Sequence, residues 1–169
     1  ILVFDLPDLQ QKGGHSVRVF HNTIQYNNKA NFAAPGAIVG SVPAGTGVLI
    51  MANRQVAIFD NDIGDNGSAN IIVTAYRNDF QDPNYNPLPR DIIIRNNRFG
   101  RSGFAPTGDI AALAQAGVHL PDVLWDGANT YSAGGTPHTE AVHVVMKDNR
   151  GAGGGLGTFL SLGVVAAGA

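Results

Sequence analysis

The most chemically varied stretch of the chain runs Tyr76-Arg77-Asn78-Asp79-Phe80-Gln81-Asp82-Pro83-Asn84-Tyr85-Asn86-Pro87-Leu88-Pro89-Arg90. It carries two carboxylates, two guanidiniums and two phenols. Asp79, Asp82, Arg77 and Arg90 are its candidate catalytic groups, since carboxylates can move protons and guanidiniums can neutralise an acidic substrate. Tyr76, Arg77, Tyr85 and Arg90 are its candidate substrate-binding groups, by ring stacking and charge pairing. Such a set would suit a sugar acid. The same residues also read as a solvated loop pinned by Pro83, Pro87 and Pro89.

Other clusters offer weaker chemistry. In the turn Asp60-Asn61-Asp62-Ile63-Gly64-Asp65-Asn66-Gly67, the residues Asp60, Asp62 and Asp65 are candidate calcium ligands, because a hard cation takes several oxygens from a short loop. No EF-hand spacing is present, and Asp, Asn and Gly belong in a turn on backbone grounds alone. His138, Glu140 and His143 are metal-ligating types, but they do not form His-Glu-x-x-His, and on an extended strand His143 faces away from the other two. His15 and His21 read as exposed or turn-bonding histidines. Arg95, Arg98 and Arg101 form an outward basic edge, which solvation and loop pairing explain and which an anionic polymer could also use. Asn66-Gly67-Ser68 has the form of a glycosylation sequon.

What must position these groups is a repeated frame. Asn22, Asn61, Asn97 and Asn149 are preceded, five and three residues earlier, by Val17/Val19, Val56/Ile58, Ile92/Ile94 and Val144/Met146. Spacing by two places each pair on one face of a strand. Two residues after the Asn comes Ile24, Ile63 or Phe99, with Gly151 as the departure in the fourth copy. Asn is expected at a left-handed bend, which it tolerates well. Strands stacked at about 4.8 Å would set one Asn amide over the next as a ladder.

The preceding strand repeats without gaps as Ile1-Leu2-Val3-Phe4, Val48-Leu49-Ile50-Met51, Ile71-Ile72-Val73-Thr74 and Val123-Leu124-Trp125-Asp126. Such continuous apolar runs fit parallel strands, and Trp125 falls in the column of Val3, Ile50 and Val73, as core more than as a sugar platform. From Val48 to Ile71 is 23 residues, a period typical of stacked repeat units. The V-x-V-x-x-N-x-I frame, with a G-[IV]-L-[IV] strand before it, resembles the right-handed parallel β-helix repeat. More closely, ILVFDLPDLQQKGG, PGAIVGSVPAGTGVLIMANR, DPNYNPLPRDI and LPDVLWDG resemble an exported bacterial family of parallel β-helix repeat proteins without an assigned activity, over residues 1 to 128 and similar to its C-terminal part. The resemblance implies an all-β, right-handed solenoid of about four coils in the periplasm or outside the cell. Mannuronan epimerases share this repeat and carry an Asp-Pro-His-Asp motif, where this chain has Asp82-Pro83-Asn84-Tyr85. The His and second Asp are missing, so that family's base and its partner do not carry over.

The β-helix domain is expected over 1 to 150, with insertions at 28 to 46, 77 to 90, 101 to 120 and 128 to 141. In the first insertion Phe32, Ile38 and Val42 should fold onto the solenoid. The third should hold a short helix from Asp109 to Gly117 that packs Leu113 on it, and the fourth reads as a Gly-Ser-Thr loop. The uncharged, Gly/Ala-rich segment 151 to 169 should be a last strand over Phe159 to Val165 or a capping tail. Because the chain opens inside a strand, its end is expected to be covered by further coils or by another chain.

With 11 basic and 13 acidic residues, net charge −2, there is no basic stripe to suit nucleic acid, and there is no Cys for disulfides or thiolate metal sites. No segment is long and apolar enough for a confident membrane span, and no cofactor is implied beyond calcium. Two functions remain open: binding or processing polysaccharide on a lateral face, as a lyase or epimerase if catalytic, or serving as a non-catalytic structural or interaction subunit of a cell-envelope assembly.

Overall fold

A computed structural model describes residues 1–34 and 36–163; the expected strand at Phe159 to Val165 and the tail beyond it therefore lie partly outside the described residues. Apolar β-branched runs form short strands. They are β1 (Leu2–Phe4), β2 (Arg18–Phe20), β3 (Thr23–Gln25), β4 (Thr46–Met51), β5 (Arg54–Phe59), β6 (Asp62–Gly64), β7 (Ala69–Thr74), β8 (Arg90–Arg95) and β9 (Arg98–Phe99). After helix α1 (Gly108–Gln115) come β10 (Val123–Trp125), β11 (Thr130–Ala133), β12 (Thr136–Thr139), β13 (Val144–Lys147) and β14 (Phe159–Ser161).

The protein is all-β, and its sheets are mostly parallel. One sheet has the order β1-β4-β7-β10-β14, a second β2-β5-β8-β13 and a third β3-β6-β9. Registers follow the gapless alignment: Val3 pairs Ile50, Ile50 pairs Val73, and Trp125 pairs Val73. Likewise Val19 pairs Ile58, Ile58 pairs Ile94, and Met146 pairs Ile94. Inward residues of all three sheets meet in one core that includes Val48, Ile58, Ile63, Ile71, Ile92, Ile94 and Phe99. Each such side chain contributes about 1.5–3 kcal/mol by leaving water.

The outer face of the first sheet is also apolar. Leu49, Ile72 and Leu124 form a second cluster, covered by Ile110 and Leu113 of α1 and by Val42. Sequence spacing anticipated Leu113, but Ile110 is the more deeply buried contact. Asp109 complements the helix dipole in the first turn, and Gly117 follows the helix at φ 84°. Phe32 does not fold down as expected. It is 86% exposed, with the Lys29 ammonium over its ring, so Val42 rather than Phe32 anchors this insertion.

The asparagine ladder forms, although its bend differs from expectation. Asn22, Asn61 and Asn97 each donate backbone N–H and side-chain Nδ2–H to Oδ1 of the Asn one strand further on, at 2.9 to 3.1 Å. The amides of Asn61 and Asn97 also reach Val19 O and Ile58 O, binding neighbouring strands together. The left-handed residue is the one before each Asn: His21, Asp60, Asn96 and Asp148, at φ 54° to 56°. The ladder asparagines themselves keep ordinary negative φ, because their side chains must point inward along the stack.

A second file of amides was overlooked in the sequence. Asn27 donates N and Nδ2 to Oδ1 of Asn66, whose own Nδ2 bonds Ile24 O and Asn70 Oδ1. The signal was present, since Asn27 and Asn66 each follow a ladder Asn by five residues. Asn66 is fully buried, so its sequon is inaccessible in the folded chain.

The segment 128 to 141 is also more ordered than a loop. β11 and β12 pair antiparallel around Gly134 and Gly135, both at positive φ, the backbone geometry of a tight hairpin turn. The Gly-Gly pair between strand-like residues was a legible hairpin signal.

Candidate functional site

The varied stretch from Tyr76 to Arg90 folds back on the chain instead of opening a cleft. Tyr76, Phe80 and Tyr85 meet edge to face, with ring centroids 5.1 to 6.4 Å apart. Tyr85 is buried, and its hydroxyl donates to Asp5 O at 2.9 Å. Burial, with the Asp5 charge and then Tyr76 adding to it, pushes the Tyr85 phenol above its ordinary value. It is a fastener, unsuited to proton transfer near neutral pH.

Asp82 has a comparable role. Buried beneath the 5–14 turn, it accepts from Asp8 N and Asn84 N, each at 3.0 Å, and pairs with Lys12. The Lys12 hydrogen bond, followed by the bond from Asp8 N, holds its carboxyl below the usual aspartate range. A carboxylate stabilised in this way is a poor base. Nearby Asp5 receives Gly13 N at 2.6 Å and Gly14 N at 3.2 Å, closing the same turn.

The other candidates point to different partners. Arg77 lies 3.4 Å from Asp126 at the end of β10, and Arg90 lies 3.4 Å from Glu140 beyond the hairpin. Glu140 also accepts from Asn86, and Tyr131 stacks on His138 at 4.8 Å. Asp79 is exposed on the loop and is in no ion pair among the described residues. The loop therefore clasps the 5–14 turn, β10 and the hairpin exit, and its charged groups diverge.

The turn carboxylates separate in the same manner. Asp60 and Asp65 occupy left-handed positions, which Asp tolerates, and each faces a basic group one strand away: His21 at 3.9 Å and Arg101 at 3.2 Å. Asp62 pairs with Arg98, which raises the Arg98 pKa. No group of three or more His, Cys, Asp and Glu side chains able to hold a metal ion occurs among the described residues. His143 faces Asp91 at 3.4 Å, apart from His138. The outward arginines are likewise engaged, except that Arg95 lies over the Phe59 ring at 4.4 Å instead of meeting an acid.

One lateral surface is uncovered and continuous. On the outside of β2-β5-β8-β13 the registers align Phe20, Phe59, Arg95 and Lys147 in one column and Arg18, Ala57, Ile93 and Val145 in the next. Phe20, Ile93 and Val145 are nearly half exposed. Arg18, Arg95 and Lys147 have no carboxylate within ion-pair distance among the described residues. Phe20 and Phe59 stack on each other at 5.0 Å and 5°, so ring edges, not ring faces, are presented outward. Sequence reading missed this surface because its columns combine strands 39 and 36 residues apart, as Phe20 to Phe59 and Phe59 to Arg95.

Trp125 packs against the inner core and stacks on Phe159 at 6.5 Å, with its indole nitrogen buried. Among the described residues no helix is long and apolar enough to cross a membrane. Comparison with known proteins found no matching family, no matching curated protein and no matching solved structure.

Proposed function

We propose that the chain is a right-handed parallel β-helix of the exported bacterial repeat family it resembles, and that it binds an acidic polysaccharide along the outside of β2-β5-β8-β13 without turning it over. The parallel pairing of successive strands, one per sheet per repeat, supports the solenoid. The observation that carries the binding reading is the file of Phe20, Phe59, Arg95 and Lys147, with Arg18 beside it. A linear polyanion running across the strands would meet unpaired cations on adjacent strands, about 4.8 Å apart, over an apolar ridge. Binding by charge suits this surface better than ring stacking, since the phenylalanines present their edges.

The candidate acids and bases support binding over catalysis. Asp82 and Arg90 are held by structural partners, Arg77 meets Asp126, and Asp79 stands exposed on the loop apart from them, so the candidate catalytic groups do not converge on one cleft. The proposed location follows the resemblance, periplasmic or extracellular. The second reading is a non-catalytic subunit of an envelope assembly, favoured by exposed Ile93 and Val145 on the same surface.

The test is titration with a polyuronate and a neutral glucan. Salt-sensitive binding to the polyuronate alone, lost in the Arg95→Ala/Lys147→Ala double variant, is the expected result. Binding to neither polymer would favour the assembly subunit. Polyuronate cleavage or epimerisation that disappears in Asp82→Ala would overturn the non-catalytic assignment.

A further inference from the structure

The cover over the first sheet leaves a space beneath it. Between the outer face of that sheet, α1 and the segment 38–43 lies a cavity of about 290 Å³. Leu49, Ile72 and Leu124 form its floor, with Ile110, Leu113 and Ile38 among its walls. Apart from Ser41 in the covering segment, its polar groups lie at two ends. Thr74 at the end of β7, with Arg77, Asn78 and the Asp126 carboxylate beyond it, lines one end. Asp109 lines the other, near the start of the strands, because Thr107 ties the beginning of α1 to Ser68 Oγ at 3.0 Å and Ala44 O at 3.1 Å. The six residues of β7 separate these ends by roughly 17 Å.

The two ends are not equivalent. Asp109 already has a role in the first helical turn, where it complements the dipole. Arg77 has donors to spare. Its neighbour Asp126 is satisfied without it, accepting Thr74 Oγ1 at 2.9 Å, Ala75 N at 2.8 Å and Ala128 N at 3.0 Å. The guanidinium meets Asp126 through one contact at 3.4 Å, and its side chain remains 54% exposed. A guanidinium in that position can take an anionic group in bidentate fashion, while the buried Asp126 carboxylate keeps its three neutral donors.

We propose that this cavity binds a free single-chain anionic amphiphile of the fatty-acid class. Its hydrocarbon chain lies along Leu49, Ile72 and Leu124, and its carboxylate is held by Arg77. The cavity is on a different surface from the proposed polysaccharide site, so each assignment can fail without the other.

Calorimetry with decanoate, kept below its micelle concentration, tests the proposal. The expected result is saturable one-to-one binding, with decanol about fivefold weaker for want of the charge and decyltrimethylammonium weaker still. Arg77→Gln, at an exposed position, should bring decanoate and decanol to equal affinity. Leu113→Trp, which fills the cavity, should remove binding of both. No decanoate binding, a preference for the cationic amphiphile, or an unchanged decanoate advantage in Arg77→Gln would each overturn the proposal. So would binding confined to anionic vesicles. Should Leu113→Trp disturb the fold, the Arg77→Gln comparison decides alone.

Discussion

The asparagine file and the loop from Tyr76 to Arg90 are both built from buried polar groups, yet they hold the chain by different means. In the file each amide satisfies the next, and the same bonds recur at every strand from Asn22 to Asn149. In the loop every bond is made once: Tyr85 to Asp5, Asp82 to Lys12, Arg90 to Glu140. Repetition couples many strands through one residue type. The loop fastens particular segments, so removing one of its bonds should be felt locally.

The sharpest test of this contrast is Asn97→Leu against Asn22→Leu. Asn97 is buried at 1% exposure, accepts N and Nδ2 of Asn61, and donates to Ile58 O, Arg95 O and Asn149 Oδ1. Leucine there strands several buried groups at once, so a loss of about 3 kcal/mol or more is expected. Asn22 lies at the exposed end of the file, and its loss should cost about 1 kcal/mol or less. Urea denaturation reads both. Equal losses would mean that the file does not act as a coupled element.

Tyr85→Phe probes a single fastener. It removes the hydroxyl that meets Asp5 O while preserving the edge-to-face packing with Tyr76 and Phe80. A destabilisation of about 1–2 kcal/mol is expected, with polyuronate binding unchanged. A lost affinity at full stability would return Tyr85 to the candidate substrate-binding groups.

Legibility in the sequence follows the same division. The inward columns could be read because each strand has to satisfy the same core and the same neighbour, so Val3, Ile50 and Val73 recur in frame. The ladder was legible for the same reason. Its left-handed bend was misplaced by one residue, because Asp60 and Asn96 are as suited to positive φ as the asparagines that follow them. Loop partners are a different matter. Lys12 is 70 residues from Asp82, and no local pattern pairs them. The carboxylates, phenols and guanidiniums that suggested a sugar-acid site converge in sequence, but the backbone distributes them among three separate segments.

Acid titration separates the two regions further, because the asparagine file contains no group that ionises. Lys12 and the backbone donors lower the Asp82 pKa in the folded chain below its unfolded value of about 3.9. Its contribution is therefore complete above the unfolded value and is lost as pH falls through the folded one. The denaturation midpoint should fall on acidification below about pH 4, with a shallower fall in Asp82→Asn and in Lys12→Met. An identical acid slope in all three proteins would show that this pair adds nothing to the clasp.

The smallest effect should come from Arg101→Ala. Its guanidinium meets Asp65 at 3.2 Å and lies 4.3 Å from the Phe104 ring centroid, yet its side chain is 66% exposed. Water screens the pair, and holding a long side chain in one geometry offsets much of the attraction, so a change below about 0.5 kcal/mol is expected. The strand just before it, β9, is held from inside by Phe99 against the same core as Ile63, and the backbones of Gly64 and Gly100 approach so closely that no Cβ fits at Gly64. A larger loss, abolished by moderate salt, would show that the outward ion pairs, and not only the inward columns, hold the strands in register.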